Sequence, residues 1–370
     1  MESSTMPASG KKKATIYDLS QLSGSSASTV SAVLNGSWRK RRIKEATAQL
    51  IQSLAEEHGY SANLQARGLR QSRSGLVGLM LPLYDNRFFS ALAQGFEARV
   101  RARGLCPLVV SGCRDPELER STVESLLAYS IDELFIAGAT DPDSIHSACA
   151  HAGVRHLNLD LPGSLATSVT SDNYAGAFEL TQAILGELAS HPDLVAADLC
   201  LFGGYSDYAS RERIRGFIAA KRAHFGSSAS EDVFSAAGYS PTLTRQALAS
   251  YIQREGRLPR GVFINSTINL EGLLGVLPQQ SAEVLNDLVV GCFDYDPFAS
   301  FLPFPVYMMK QDVDRVLDLA FTLMDQPEAA VRLHKVPPLL VPPRTALPSP
   351  LDHPTSGRER VQLPDIPDEH

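Results

Sequence analysis

The sequence predicts an α/β protein in two parts: an N-terminal all-α head containing a helix-turn-helix, and a two-lobed body of doubly wound parallel sheets. Three observations predict this. Residues 15–58 carry apolar side chains at helical intervals, broken by glycine-containing turns. From Gly75 onward, short apolar runs alternate with amphipathic ones, the signature of parallel strands covered on both faces. The charge divides along the same line. Residues 1–74 hold eleven Lys or Arg against five Asp or Glu, while the whole chain has a net charge of -7. A basic head on an acidic body points the head, and not the body, at a polyanion. At 370 residues and 44% hydrophobic composition, the chain exceeds one core's worth of residues.

Residues 1–13 are small, polar and basic, and are expected to be disordered. The head is placed at 14–61. Its first helix shows Ile16, Leu19 and Leu22 on one face, opens on a Thr15/Asp18 capping box and ends at Gly24. Ser26 is a suitable N-cap for a second helix with the stripe Val30, Val33, Leu34, stopped by Asn35-Gly36. A third is expected from Ile43 to His58, with Ala46, Leu50, Ile51 and Leu54 inward and Gly59 at its end. Asn63 to Arg70, within a linker at 62–74, can form a helix but is too short to be stable alone.

The body is placed at 75–344. Strands are expected at 76–83, 106–112, 131–138, 154–161, 197–204, 232–238, 261–266 and 288–294. Helices are expected near 88–103, 115–129, 142–152, 170–190, 208–224, 241–255 and 268–277. Two such runs imply two lobes, divided as 75–175 plus 305–330, and 176–300, with a cleft between them. The Pro- and charge-rich stretch 345–370 is expected to be a disordered tail.

"ATIYDLSQLSGSSASTVSAVLNG" (14–36) crowds nine hydroxyl side chains into two helices joined by a tight turn. The second helix presents Ser26, Ala27, Ser28, Thr29 and Ser31 opposite its apolar stripe. Small hydroxyl side chains let a helix enter a major groove and bond phosphates or base edges. A plainer reading is a solvated Ser-rich helix. Arg39, Lys40, Arg41, Arg42 and Lys44 follow at once. Such a run is often only a solvated loop, but beside a groove-reading helix it suits phosphate clamping. Trp38, the only tryptophan, fits either a loop anchor or a sugar-phosphate contact.

"TIYDLSQLSGSSASTVSAVLNG…HGYSANLQARGLR" resembles the head of the lactose-repressor (LacI/GalR) family of transcriptional regulators, and the likeness runs to about residue 340. The long basic "WRKRRI" segment and "FLPFPVYMMKQDVDRVLDLAFTLMDQP" resemble its fructose repressor subgroup. The resemblance implies a periplasmic-binding-protein-like body, and operator contacts from Thr15, Tyr17, Ser26, Ala27, Ser28, Thr29, Ser31, Asn35, Arg39, Arg41 and Arg42. It implies a hinge helix beginning at Asn63, with Leu69 as a minor-groove wedge. Ala27, Ser28 and Ala32 take the principal base-reading positions. Ala32 and Ala62 depart from the arginine and proline frequent in the family.

Two-lobed α/β bodies bind ligands at the carboxyl ends of their strands. Asn86, Phe88, Asp160, Tyr239, Ser266 and Asp294 sit just after expected strands, and Arg213 opens a helix beyond one. Aromatic faces stack on sugar rings, and Asp and Arg bond paired hydroxyls. The plainer reading of a strand-end Asp or Ser is a helix N-cap. The resemblance implies effector contacts from Asn86, Asp160, Arg213, Ser266, Asp294 and Gln311. Leu161 and Ser266 stand where many relatives have Arg and Asn, which leaves a sugar and a sugar phosphate both open. Arg211 and Arg215 offer charge near Arg213 but cannot share its direction.

The implied partners are a near-palindromic duplex operator, a small sugar or sugar-phosphate effector, and a second copy in a homodimer. No cofactor or metal is expected. His146, His151 and His156, spaced by five, do not share a helix face. No GxSxG, P-loop, HExxH or strand-following GxGxxG motif appears, so an enzyme is not expected; "FGGYSDYAS" lacks the lysine of a phosphate loop. Five cysteines without a CxxC pair suit a reducing cytoplasm. The first thirteen residues lack the apolar segment of a signal peptide, and no run is long enough to span a membrane. The rival reading is a stand-alone sugar-binding protein, which would not need residues 14–70.

Overall fold

A computed structural model describes residues 14–60, 73–226, 229–326 and 330–343. The chain separates into two compact units, Met1–Gly75 and Leu76–His370. The expected hinge, with Asn63 and Leu69, and the expected terminal tails lie outside the described residues.

The first unit holds α1 (Ile16–Ser23), α2 (Ala27–Leu34) and α3 (Glu45–Glu57). Thr15 Oγ1 accepts from Asp18 N at 3.3 Å, and Asp18 Oδ2 accepts from Thr15 N at 2.8 Å, completing the expected capping box. Gly24 ends α1 at φ +63°, a conformation that costs other residues about 1–2 kcal/mol. Ser26 caps α2 by accepting from Thr29 N at 3.2 Å. Leu19, Val30, Val33, Ala48, Ile51 and Ala55 form the core. The inward face of α3 is therefore Ala48, Ile51 and Ala55. Leu50 is exposed, as are Ala46 and, on α1, Leu22. With so short a core, one apolar stripe per helix is enough to close it, and the surplus leucines face outward. Trp38 packs half-buried against this core, with the Arg39 guanidinium 5.0 Å above its ring. Its anchoring role is thereby accounted for.

The second unit is two parallel-dominated sheets. The first takes β1 (Leu76–Leu81), β2 (Cys106–Ser111), β3 (Glu133–Ala137), β4 (Arg155–Leu159), β5 (Ser168–Ser171) and β11 (Leu333–Val336), in the order β11-β5-β4-β3-β1-β2. The second takes β6 (Leu199–Phe202), β7 (Val233–Phe234), β8 (Gly261–Ile264), β9 (Val289–Phe293), β10 (Val306–Lys310) and β12 (Leu339–Val341), in the order β12-β10-β9-β8-β6-β7. Each sheet starts at an interior strand, steps outward once and then reverses. The carboxyl ends on either side of that reversal form the usual ligand crevice of open α/β sheets. Helices cover both faces. Phe96, Phe135 and Phe321 meet in one core of the first lobe, and Phe202, Phe234 and Tyr251 in one of the second.

The expected lobe boundary changes at the C-terminal side. β10 falls in 305–330, assigned to the first lobe, but it pairs in parallel with β9, Met308 opposite Cys292. Only the following helix, Val313–Asp325, returns to the first lobe, where Leu317, Ala320, Phe321 and Met324 enter the core. Arg99 holds it through Asp314 and Asp318 at 3.1 and 2.7 Å. β11 and β12 then join different sheets, β12 antiparallel to β10. Three passes of the chain thus link the lobes. The expected strand at 232–238 shrinks to two residues before a 3₁₀ turn, Ser235–Ala237.

Candidate DNA-binding head and ligand cleft

In the head, the turn at Gly24 presents α2 with Val30 and Val33 inward. Ser26, Ser28 and Asn35 are exposed, and Ala27, Thr29 and Ser31 are half-buried. Ser26 Oγ lies 2.8 Å from Ser28 Oγ and 2.9 Å from Thr29 Oγ1, so the hydroxyls form one short polar ridge. Tyr17 is 78% exposed. Thr15 spends its hydroxyl on the capping box, and Asn35 Oδ1 accepts from Ser37 N at 3.1 Å. Arg39, Arg41 and Arg42 are exposed, with Arg42 at φ +53° in the turn after Trp38. Ala32 is the correction here. It is only 1% exposed, with Ser37 N donating to its carbonyl at 3.0 Å, so its methyl group is covered and offers no surface to a base.

In the body, the strand ends gather Asp160, Arg213, Ser266, Asp294 and Gln311, all 7% exposed or less. Asp160 follows β4 at φ +67° and Asp294 follows β9 at φ +75°. Non-glycine residues are uncommon in this region, and at functional sites such strain is held by the surroundings. The backbone N–H of Asp160 donates to Val169 O at 3.1 Å and that of Asp294 to Met309 O at 3.0 Å, fixing the main chain at both positions. Gln311 bridges the lobes: its Nε2 donates to Asp294 Oδ1 and its Oε1 accepts from Ser171 Oγ, each at 2.5 Å.

Arg213 lies on the helix Tyr208–Phe225. Its Nε donates to Asn173 Oδ1 at 2.8 Å and its Nη1 to Asn265 O at 2.7 Å, with the guanidinium 3.8 Å from the centre of the Phe293 ring. Burial pushes the Asp160 carboxyl up to about 7, although Arg213 and Arg114 pull it down. Burial also raises the Tyr239 hydroxyl; its oxygen lies 2.8 Å from Ser210 Oγ.

Not every expected residue offers a free group. Asn86 accepts from Phe88 N at 2.8 Å as the N-cap of the helix Arg87–Ala102, and Ser266 caps Thr267–Leu274. Phe88 gives its ring to the first-lobe core, 5.0 Å from Phe89. The aromatic faces of the cleft are instead Tyr239 and Tyr205, 6.5 Å apart. The Gly203-Gly204 turn is structural: Gly203 has φ +88°, and a Cβ there would meet the Asn269 side chain at 2.3 Å.

Sequence reasoning missed Arg114. It reaches from the end of β2, at φ +54°, to place its guanidinium 4.8 Å from the Tyr239 ring centre, across the cleft. A further contact between the lobes joins Arg87 to Asp296 at 2.8 Å. No local signal marks Arg114, because its partner stands 125 residues further on.

A cavity of about 210 Å³ opens elsewhere on the first lobe, beside His146 and His156. Their ring nitrogens are 3.2 Å apart, brought together from a helix and a strand, while His151 bonds Ser147 O. Among the described residues no group of three metal-ligating side chains occurs, and no helix is long and apolar enough to cross a membrane.

A helix-turn-helix head joined to a two-lobed ligand-binding body defines a ligand-responsive, DNA-binding transcriptional regulator. Residues 15–63 match the model of bacterial regulatory proteins of the lacI family, and 74–250 match that of periplasmic binding proteins and the sugar-binding domain of the LacI family. The chain belongs to the LacI family. It is 51% identical over 178 residues to the ribitol operon repressor of Klebsiella aerogenes, an alignment spanning 48% of this chain and 66% of that one. It is 28% identical over 316 residues to the fructose operon regulatory protein of Vibrio cholerae, spanning 84% of this chain and 92% of that one. A crystal structure of the lac repressor dimer bound to operator and an anti-inducer superposes with a TM-score of 0.71, at 21% identity, over 91% of this chain and 100% of that one; this likeness concerns the fold.

Proposed function

We propose that this protein is a cytoplasmic repressor that binds a near-palindromic duplex operator as a homodimer, and that a small sugar, polyol or sugar phosphate in the cleft sets its operator affinity. The observation that carries the reading is the polar ridge of exposed Ser26 and Ser28 with half-buried Thr29 at the start of a capped helix, followed by the basic turn Arg39–Arg42. Hydroxyl groups suit base edges and phosphates, and the arginines suit the phosphate backbone. Asn63 and Leu69 enter as proposed hinge contacts on the resemblance alone.

Effector control follows from population shift. Asp160 and Arg114 belong to one lobe, and Arg213, Tyr239 and Asp294 to the other. A ligand bonded to both lobes stabilises one closure over another, and so one DNA-binding state over the other. A coupling of about 1–3 kcal/mol changes operator affinity by roughly 5- to 150-fold. The names of the ribitol and fructose relatives support a sugar or polyol class of effector. The test is selection of bound duplexes from a random pool, repeated with ribitol, fructose and fructose 1-phosphate. A near-palindrome should be enriched, and its retention should change with one of the three. Failure to enrich any sequence overturns the reading.

A further inference from the structure

We infer that the cleft is built for an uncharged polyhydroxylated ligand, not a phosphorylated one, and that Arg114, Asp207 and Asn265 are further residues that bind it. This rests on the reading of the cleft as the effector site.

The first argument is hydrogen-bonding capacity. Among the described residues seven buried side-chain atoms have no hydrogen-bond partner, and three of them, Arg114 Nε, Asp207 Oδ2 and Asn265 Oδ1, belong to the cleft. Asn265 is wholly buried. Asp207 and Asn265 both bond Ser210, and Arg114 stands over Tyr239, which bonds it too. Ser210 N donates to Asp207 Oδ1 at 2.7 Å, Asn265 Nδ2 donates to Ser210 Oγ at 3.3 Å, and Tyr239, beneath the Arg114 guanidinium, bonds the same hydroxyl. A buried polar group left unsatisfied costs about 1–3 kcal/mol, and such groups are few in native proteins. Three in one cluster, drawn from both lobes, present one donor and two acceptors. A run of hydroxyls, each able to donate and accept, matches that set. Tyr205 and Tyr239 supply apolar faces for its carbon chain.

The second argument is charge. Asp160, Asp207 and Asp294 face two cations, Arg114 and Arg213, and each of these two guanidiniums acts on the Asp160 carboxyl. Arg213 is already committed to Asn173, the Asn265 carbonyl and the Phe293 ring. Arg211 bonds the Ser206 carbonyl, and Arg215 pairs with Glu212, so neither adds charge. Helix N-termini are the usual alternative for a phosphate. Here Asp207 and Ser266 cap the helices Tyr208–Phe225 and Thr267–Leu274. A phosphate ester would bring a charge of about -1.5 to -2 into a site whose two guanidiniums, Arg114 and Arg213, already face the carboxylates of Asp207 and Asp294. A neutral polyol brings none.

The experiment is calorimetric titration of the full-length protein with ribitol, xylitol, mannitol, fructose and fructose 1-phosphate. At least one unphosphorylated compound should bind, and fructose 1-phosphate should bind at least tenfold more weakly than it. Asp207→Asn, which keeps a good N-cap, and Arg114→Gln should each weaken that binding at least tenfold, with melting curves confirming that both variants fold. Preferred binding of fructose 1-phosphate overturns the inference and leaves the regulator reading intact, as does wild-type-like affinity in both variants. Polyol binding with no duplex enriched in the selection does the reverse.

Discussion

The head and the cleft achieve polar recognition by opposite means. At the start of α2 the Ser26 and Ser28 hydroxyls stand in the open, and with Thr29 they bond one another along a single helix. In the cleft, Asp160, Arg213 and Asp294 are almost wholly buried, and their partners come from distant strands of both lobes. The difference teaches where each site's energy lies. The polar ridge contributes little to folding, whereas the cleft's charges are part of the body's stability. Substitutions should therefore separate the two: large stability effects in the cleft, small ones on the head's surface.

The sharpest break is Arg213→Ala. Removing one member of a buried charge network costs about 3–5 kcal/mol, because Asn173, the Asn265 carbonyl and Asp160 lose their cation. Urea denaturation followed by circular dichroism should show that loss. A change below about 1 kcal/mol would mean that the network is looser than its geometry indicates.

The pH dependence sharpens the same contrast. The folded form of Asp160 holds its proton up to about 7, while the unfolded chain loses it near 3.8. The native state thus binds more protons between those values, so stability falls as pH rises through that window, by about 4 kcal/mol in all. Asp160→Asn should flatten this slope in melting temperature against pH. An unchanged slope would assign the effect to another group.

Thr15→Ala is the mild case in the head. Loss of the cap should cost about 1 kcal/mol, read from Trp38 fluorescence, since that residue packs on the head's core. No shift in the head's unfolding midpoint would show that the capping box contributes nothing.

These contrasts also decide what the sequence could reveal. Capping and turn chemistry are local, so Thr15, Gly24 and Ser26 announced their roles within a few residues. The apolar runs announced the buried strands. β5, β11 and β12 were not anticipated, because they are three or four residues long and exist through pairing with distant partners. Nor is β10 among the strands the sequence predicts, and the stretch 305–330 that contains it divides between the lobes, because a short apolar run does not say which sheet it joins. Ala32 departs from its implied role because a resemblance transfers a position, while an alanine there is too short to escape cover. Asp160 and Asp294 were legible as strand ends. Arg114 was not, since only the closed fold brings it over Tyr239.

The central claim is that the exposed face of α2 reads duplex DNA while the cleft senses a ligand. Ser28→Glu tests it most directly, because Ser28 is exposed and a carboxylate there repels phosphate without disturbing the core. Fluorescence anisotropy with the selected duplex should show affinity reduced at least a hundredfold, with ligand titration of the cleft unchanged. Duplex affinity within twofold of the original protein would contradict the account.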